Sequence, residues 1–448
     1  FYVDLGSVKA IERVNTFSAI GDGKYKLEFA ETDLPIAWIN AKSVELDYGK
    51  VFNWMSTVVT QSARYVKVTV ETPGFVLREM AFFEKDVQTP LTIQSLHAEG
   101  AGTAFQGVVD NLFDEQMTAK YKPSFMDGTY FDEIYHARTA FENLHMMKQY
   151  ENTHPPLGKL LISIGIRIFG MNPFGWRIVG TLFGIAMIPI MYVFAKRLFG
   201  RTEYAIMAAF LMSVDFMHFV QTRISTIDVY GVFFIMLMYY FMFRYFTLNF
   251  FQVSLRKTLL PLFLSGLFFG IGAASKWIVI YGGGGLALIF FLSLYDRYKE
   301  YEAAKIHLIN ETSEPSVGLM ETDELEPSRQ IVASFTKLSI KSVAWCTLFF
   351  VFIPLIVYSL SFFPIMAVEG EKHTITQLIK YQTDMFDYHS ELVATHPFSS
   401  PWYEWPAMIR PIWFYSNSFA PAGLAQSIVS MGNPLIWWLG LPAIFAAI

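Results

Sequence analysis

The stretch FGWRIVGTLFGIAMIPIMYVFA, residues 174–195, is apolar over a length that suits one membrane crossing, for which a helix needs about 20 residues. Comparable runs cover about 203–220, 228–247, 259–276, 277–295, 340–364 and 433–448, the last ending with the chain. Their number and spacing predict a polytopic α-helical membrane domain. Residues 155–170 form a shorter run that carries Lys159 and Arg167, which suits an amphipathic helix lying in the interface better than a crossing. Gly282 to Gly285 fall inside one span, where small residues permit close helix packing.

The connections between these runs carry charge unevenly. Lys196, Arg197 and Arg201 follow the first span, Arg244, Arg256 and Lys257 lie between the third and fourth, and Arg297, Lys299 and Lys305 follow the fifth. Basic clusters in short connections favour the cytoplasmic side. The connections near 221–227, near 276 and at about 365–432, together with everything before 174, are then predicted on the outer side. The charged stretch of about 296–336 reads as a cytoplasmic loop.

Upstream of the spans the pattern changes. Tyr25, Leu27 and Phe29 alternate with Lys24, Lys26 and Glu28, and Val66, Val68 and Val70 alternate with Lys67, Thr69 and Glu71. Period-two alternation bounded by Gly21-Asp22-Gly23 and Pro73-Gly74 predicts antiparallel strands over 1–86, with a β-sandwich as the simplest architecture. Tyr2-Val3-Asp4-Leu5-Gly6, Ala63 to Val68, and Leu77-Arg78-Glu79 before Phe82-Phe83 resemble a discoidin (coagulation factor 5/8 C-type) module, which implies a glycan or lipid head group as its ligand; a plain spacer is the competing reading. Residues 87–130, rich in Gly, Thr and Gln, read as a linker, with Asp114-Glu115 as a solvated pair. The whole is a multi-domain chain: a β-sandwich at 1–86, a linker, and a membrane domain at 131–448.

Apolar residues make up 53% of the chain, as a large membrane part requires, and a net charge of −5 gives no reason to expect nucleic acid as a partner. Cys346 is the single cysteine, so no intrachain disulfide can form. The chain starts at Phe1 without a signal-peptide pattern and stops at Ile448 inside an apolar run, so a fragment of a longer protein is expected.

Unusual polar residues gather on the predicted outer side. Asp132, Glu133 and His136 precede the first span, followed by His154-Pro155-Pro156-Leu157-Gly158-Lys159. Asp215, His218, Gln221, Thr222, Arg223 and Asp228 surround the next outer turn, Lys276-Trp277 marks another, and His396 to Tyr403 with Arg410 lie in the long last connection. A charge at membrane depth costs about 2.5–3.5 kcal/mol on insertion scales, so Asp215 and Lys276 are predicted to have partners or a wet cavity.

This set fits transfer of a sugar from a polyprenyl phosphate. The departing phosphate needs cations, for which Arg223 and Lys276 are the candidates, with His396 and Arg410 as helpers. The acceptor hydroxyl needs a base, and Asp132 is the choice, with Glu133 positioning the acceptor or balancing charge. One base without a carboxylate nucleophile means single displacement with inversion. His136, His154, Asp228, Trp402 and Tyr403 are candidate substrate contacts. No metal and no cofactor are expected, because the carboxylate pair is not accompanied by an oxygen cage.

Phe131-Asp132-Glu133, the His154 to Lys159 motif, Gln221-Thr222-Arg223 with Asp228, Lys276-Trp277, the run His396 to Trp405, and Met431-Gly432-Asn433-Pro434 with Trp437-Trp438 together resemble the protein O-mannosyltransferase family. The resemblance covers about 130–448. It implies a membrane enzyme of the GT-C class that moves mannose from dolichyl- or polyprenyl-phosphate to Ser/Thr hydroxyls of exported proteins. Eukaryotic members carry a β-trefoil domain in the large outer loop, for which 365–432 is too short, and they lack an N-terminal β-module. Both departures imply a bacterial member in the cytoplasmic membrane, with its active site on the extracytoplasmic face.

Competing readings start from the same residues. Asp132-Glu133 could cap a helix over about 133–149. Lys276-Trp277 could be a snorkelling pair, and Trp402, Trp405 and Trp413 an interfacial aromatic belt. At the level of the whole chain, the alternatives are transfer of a lipid-linked sugar to an envelope glycan or lipid, and a non-enzymatic transporter or receptor. The absence of an internal repeat and the one-sided polar set speak against transport.

Overall fold

The computed structural model describes residues 1–32, 36–47, 49, 51–98, 107–313, 322–370, 374–393 and 398–447. The chain divides into two compact units, one of Phe1–Phe141, Ser163–Ile178 and Arg410–Met431, the other of Glu142–Ile162, Val179–Ile409 and Gly432–Ile448.

In the first unit, β1 (Tyr2–Ser18), β2 (Gly23–Ala30), β3 (Ile39–Leu46), β4 (Trp54–Val70) and β5 (Leu77–Glu84) lie in the order β3-β2-β4-β1-β5, and β6 (Ser95–His97) pairs with the start of β1. All pairings are antiparallel. A β-sandwich was expected, and strands β1–β6 join in one hydrogen-bonded sheet. The cause is strand length: β1 and β4 each run 17 residues and pair with one another along most of that length, past bulges after Asp4 and Ile11 that bend the ribbon.

Strand β5 is buried on both faces. Met80 and Phe82 join Val14, Leu27 and Val66 in one cluster, while Ala81 and Phe83 join Trp54, Ala119 and Tyr121 in another. The second cluster is closed by the stretch expected to be a linker. Gln116 Nε2 donates to the Met80 carbonyl at 2.7 Å, and Asn15 Nδ2 donates to the Lys120 carbonyl at 2.5 Å. The described part of 107–130 is therefore packed structure. Asp114 and Glu115 are exposed, as expected, yet both act on the buried Glu79, whose carboxyl is pushed up to about 7 by burial and by their negative charge.

The helices in chain order are α1 (Glu133–Leu144), α2 (Leu157–Phe169), α3 (Pro173–Phe199), α4 (Thr202–Ser213), α5 (Phe216–Gln221), α6 (Asp228–Phe246), α7 (Leu255–Ser275), α8 (Ile278–Ser313), α9 (Thr322–Thr347), α10 (Ile353–Ser361), α11 (Phe363–Met366), α12 (Ile375–Glu391) and α13 (Pro434–Ala447). Among the described residues, five helical runs are long and apolar enough to cross a membrane: Pro173–Phe199, Asp228–Phe246, Leu255–Ser275, Ile278–Asn310 and Leu325–Ser361. The last joins α9 to α10 through a π turn over Leu348–Phe352.

Two expectations about the helices are corrected. The run 203–220 is not one crossing helix but α4 and α5, broken at Val214-Asp215, where Asp215 accepts the His218 amide as the N-cap of α5. The stretch 296–336 is not a loop where it is described: α8 and α9 extend into it, and Phe335 of α9 stacks on Tyr301 of α8 at 4.6 Å.

The membrane part of the second unit is held by small residues at crossings. A Cβ on Gly266 would lie 2.4 Å from the Phe349 carbonyl oxygen, and one on Gly270 would lie 2.8 Å from Pro354 Cα, so α7 and the α9–α10 run approach backbone to backbone. Gly282 and Gly285 of α8 instead make room for side chains of α6, Met238 and Tyr239, and Tyr239 Oη donates to the Gly282 carbonyl at 2.9 Å.

Candidate active site

The acidic motif belongs to the first unit. Phe131 has φ +50°, a left-handed conformation that costs a side-chain-bearing residue roughly 1–2 kcal/mol and is held here by its ring against Phe414, 4.6 Å away on β7 (Ile412–Ser416). That turn starts α1, with the Asp132 carbonyl accepting from the amides of Tyr135 and His136 at 3.1 Å. The backbone of Asp132 therefore caps α1, as one competing reading anticipated, and its side chain stays half-exposed.

Glu133 behaves differently. Its side chain is fully buried and takes both arms of Arg177, Nε to Oε1 at 2.8 Å and Nη2 to Oε2 at 2.7 Å. Trp176 Nε1 and the Tyr130 amide also donate to Oε2, each at 3.3 Å. Arg177 Nη2 reaches the carbonyls of Phe125 and Gly128 at 2.8 and 3.0 Å. Burial and the Glu133 charge push the Tyr130 hydroxyl up to about 12. Glu133 is thus a buried anchor, and a contact with an acceptor is not open to it. His136 is buried on α1, and Arg410 is exposed beside β7 in the same unit.

The β-sheet supports this motif directly. Asn53 Nδ2 donates to the Thr129 carbonyl at 3.2 Å, and the Thr129 amide donates to the Phe52 carbonyl. A Cβ on Gly128 would lie 2.2 Å from Asn53 Oδ1, so only glycine fits there.

The cationic residues belong to the second unit. Lys276 caps the end of α7 in an extended conformation, and its Nζ lies 2.5 Å from Asp228 Oδ1 in the first turn of α6. An anionic side chain at a helix N-terminus is favourable by itself, and here it also answers the predicted need of Lys276 for a partner. Asp215 has partners too: its Oδ2 accepts from the Asn433 amide at 3.0 Å and from Trp437 Nε1 at 2.9 Å, which fastens the start of α13.

The His154 to Lys159 motif packs against the same helix ends. Leu160 bonds back to Pro156 as α2 begins, and a Cβ on Gly158 would lie 2.8 Å from Ile227 Cγ2 and 3.2 Å from the Ser275 carbonyl oxygen. Glycine lets α2 touch the residues immediately before Asp228 and Lys276. Lys159 is completely buried, paired with the Glu151 carboxylate and donating to the Glu151 carbonyl at 3.0 Å. Burial pushes its ammonium down, and Glu151 opposes that. Burial also holds the His154 imidazole below its usual range, with Glu151 opposing and Lys276 adding to it.

The far wall of this cluster is α12. His389 Nε2 donates to the Thr153 carbonyl at 2.8 Å, and its ring meets that of His154 edge-on at 5.1 Å. Trp277 Nε1 donates to Tyr358 Oη at 2.9 Å, which donates to Gln382 Oε1 at 2.5 Å. Arg223 is exposed on the turn after α5, its guanidinium 3.6 Å from the centre of the Phe219 ring, with no carboxylate partner among the described residues. Trp402 and Tyr403 are 73% and 65% exposed. His396 lies outside the described residues.

Arg177, Trp176, Glu151 and His389 were not singled out from sequence. For Arg177 a signal existed: it is a charge inside a predicted crossing, and such charges have partners. No comparable signal marks Glu151 or His389.

Comparison with known proteins finds matches over much of the chain. A family model described as dolichyl-phosphate-mannose-protein mannosyltransferase matches residues 153–309, and one described as the C-terminal four TMM region of protein-O-mannosyltransferase matches 374–448. The chain is 25% identical over 369 residues to a polyprenol-phosphate-mannose–protein mannosyltransferase of Mycobacterium tuberculosis, covering 70% of this chain and 64% of that protein. The protein of the same name from Mycolicibacterium smegmatis is 25% identical, covering 70% and 65%, and that from Corynebacterium glutamicum is 26% identical, covering 66% and 60%. The chain thus spans less than two thirds of the length of these relatives. The Saccharomyces cerevisiae protein O-mannosyltransferase Pmt1-Pmt2 complex bound to the sugar donor matches with a TM-score of 0.40 and 16% identity, over 52% of this chain and 29% of that one.

Proposed function

We propose, from the premise that this chain belongs to the protein O-mannosyltransferase family, that it transfers mannose from a polyprenyl- or dolichyl-phosphate-mannose donor to Ser/Thr hydroxyls of exported proteins. The observation that carries the assignment of roles is the split fate of the acidic pair: Glu133 is buried under Arg177, while Asp132 stays half-exposed. Asp132 is then the member able to meet an acceptor. In this scheme it takes the proton of the acceptor hydroxyl as the oxygen attacks C1 of mannose, the C1–O bond to phosphate breaks, and the polyprenyl phosphate leaves with its charge facing Arg223 and Lys276. The anomeric centre inverts because one displacement occurs.

His396 and Arg410 assist at the phosphate, and His136, His154, Asp228, Trp402 and Tyr403 line the substrate path. Asp228 holds Lys276 until the phosphate arrives, a competition that the 2.5 Å pair supports. The scheme calls on no metal or cofactor. A discoidin-like role for residues 1–86, with a glycan as ligand, is a separate part of the proposal, supported by the quoted motifs. A bacterial cytoplasmic membrane is the compartment that fits the short outer loop.

The test is an assay of the full-length protein in membranes with labelled polyprenyl-phosphate-mannose and a Ser/Thr peptide. Transfer to peptide, lost in Asp132→Asn, is expected. Normal transfer by that variant removes the base assignment, and label on a glycan instead of peptide changes the acceptor.

A further inference from the structure

Helix α12 has three distinct sides. Tyr381 and Met385 are buried and pack with Phe362 and Ile365 at the end of the α9–α10 span. Lys380, Asp384, Asp387 and Glu391 are exposed on the side turned away from that cluster. Between the buried and the charged sides lies a third stripe. Ile375, Ile379 and Phe386, at positions i, i+4 and i+11 and so on one line of the helix, are 77%, 57% and 63% exposed.

An exposed apolar stripe flanking a docked face is unexpected on an extramembrane helix in water. Its setting gives the reason. Gln382 of α12 accepts from Tyr358 near the end of α10, so the helix is bonded to the span where it leaves the apolar layer. Leu355, Ile356 and Leu360 of α10 are 59%, 58% and 67% exposed on the span itself, where lipid is the solvent. Phe363, at the start of α11 just past α10, is 67% exposed. The stripe thus belongs to a helix that packs on, and is bonded to, the end of an apolar span.

We propose that α12 is an interfacial helix whose Ile375-Ile379-Phe386 stripe dips into the acyl region of the leaflet on the Lys276 side, with its charged side in the head groups. Such helices sit about 5–10 Å into the boundary between head groups and acyl chains. The partner is the bilayer itself. Because His389 holds the Thr153 carbonyl and Gln382 holds Tyr358, the depth of α12 also bears on where the His154 loop stands. The inference depends on the chain being a membrane protein and not on the reaction assigned to it.

The experiment uses the full-length protein in liposomes, with Cys346→Ser and any further native cysteine replaced likewise. An environment-sensitive fluorophore is attached in turn to Ile379→Cys, Phe386→Cys and Asp384→Cys. Expected is quenching by doxyl-labelled lipid several-fold stronger at 379 and 386 than at 384, with the reverse order for iodide in water. Equal quenching by iodide at all three positions overturns the proposal. So does a label at 379 and 386 shielded from both quenchers, which means that protein covers the stripe. All three positions are exposed on one helix, so a general folding defect would affect them alike and would not produce the expected contrast.

Discussion

Arg177 grips Glu133 with both arms of its guanidinium, 2.8 and 2.7 Å from the two carboxylate oxygens, although the two residues come from different helices and one of them lies in a predicted membrane span. The pair joins α1 to α3, and with the bonds from Arg177 to Phe125 and Gly128 it sets the loop that delivers Asp132.

Removing one partner leaves the other charge buried and uncompensated. Arg177→Met and Glu133→Gln are each expected to destabilise the first unit by about 3–5 kcal/mol, and Arg177→Lys to fail as a substitute because it lacks the two-armed fork. Thermal unfolding of the detergent-solubilised protein measures this. A double variant as stable as wild type would show that the pair acts in specificity alone.

Asp132→Asn is expected to leave unfolding unchanged within about 0.5 kcal/mol, since the side chain is half-exposed and the capping carbonyl remains. Turnover should fall by roughly 10²–10⁴-fold with donor affinity retained, the range typical of a lost general base. Single-turnover transfer with labelled donor separates the two quantities.

Gly158→Ala places a methyl group 2.8 Å from Ile227 and 3.2 Å from the Ser275 carbonyl oxygen. The α2 start must then move away from the ends of α6 and α7, at a cost of about 1–3 kcal/mol. Because those ends carry Asp228 and Lys276, the expected kinetic signature is a raised KM for the donor. An unchanged KM would separate the His154 motif from donor binding.

Lys276→Met and Asp228→Asn should behave unequally. The pair is partly open to solvent, with side-chain exposures of 23% and 43%, so either change should alter stability by no more than about 1 kcal/mol. Donor affinity should fall for Lys276→Met and rise or hold for Asp228→Asn, which frees the ammonium for phosphate. Equilibrium binding of polyprenyl phosphate tests the sign.

Glu79 supplies a pH dependence. Folded Glu79 keeps its proton up to about 7, whereas its ordinary value is 4.5. Between those two values the folded chain holds a proton that the unfolded chain has released, so stability declines as pH rises through that window. Thermal melts at pH values from 4.5 to 7.5 should show the decline, and Glu79→Gln should flatten it and raise the melting temperature at the upper end.

The membrane spans were legible from sequence because burial in lipid imposes one requirement on every residue of a run. Length and hydropathy alone therefore located the helices at 173–199, 228–246 and 255–275 closely, and the start of the one at 278–310, whose charged last turns read as a loop. The break at Asp215 escaped that reading, since hydropathy averages over the polar bonds by which Asn433 and Trp437 satisfy the carboxylate. Period two likewise located β2 and β4, but is missing at β5, where residues from 107–130 bury the second face and erase the alternation.

The chemistry-bearing residue types were also readable, because Asp132, Lys276 and His154 stand out as charge or imidazole beside apolar spans. What each one does was decided by packing. Glu133 and Asp132 are neighbours of one kind in the sequence, and only the arrival of Arg177, 44 positions away, makes one of them a buried anchor and leaves the other half-open. Pairing across such distances depends on which side chains the fold presses together out of water, and that information resides in the contacts rather than in any local pattern.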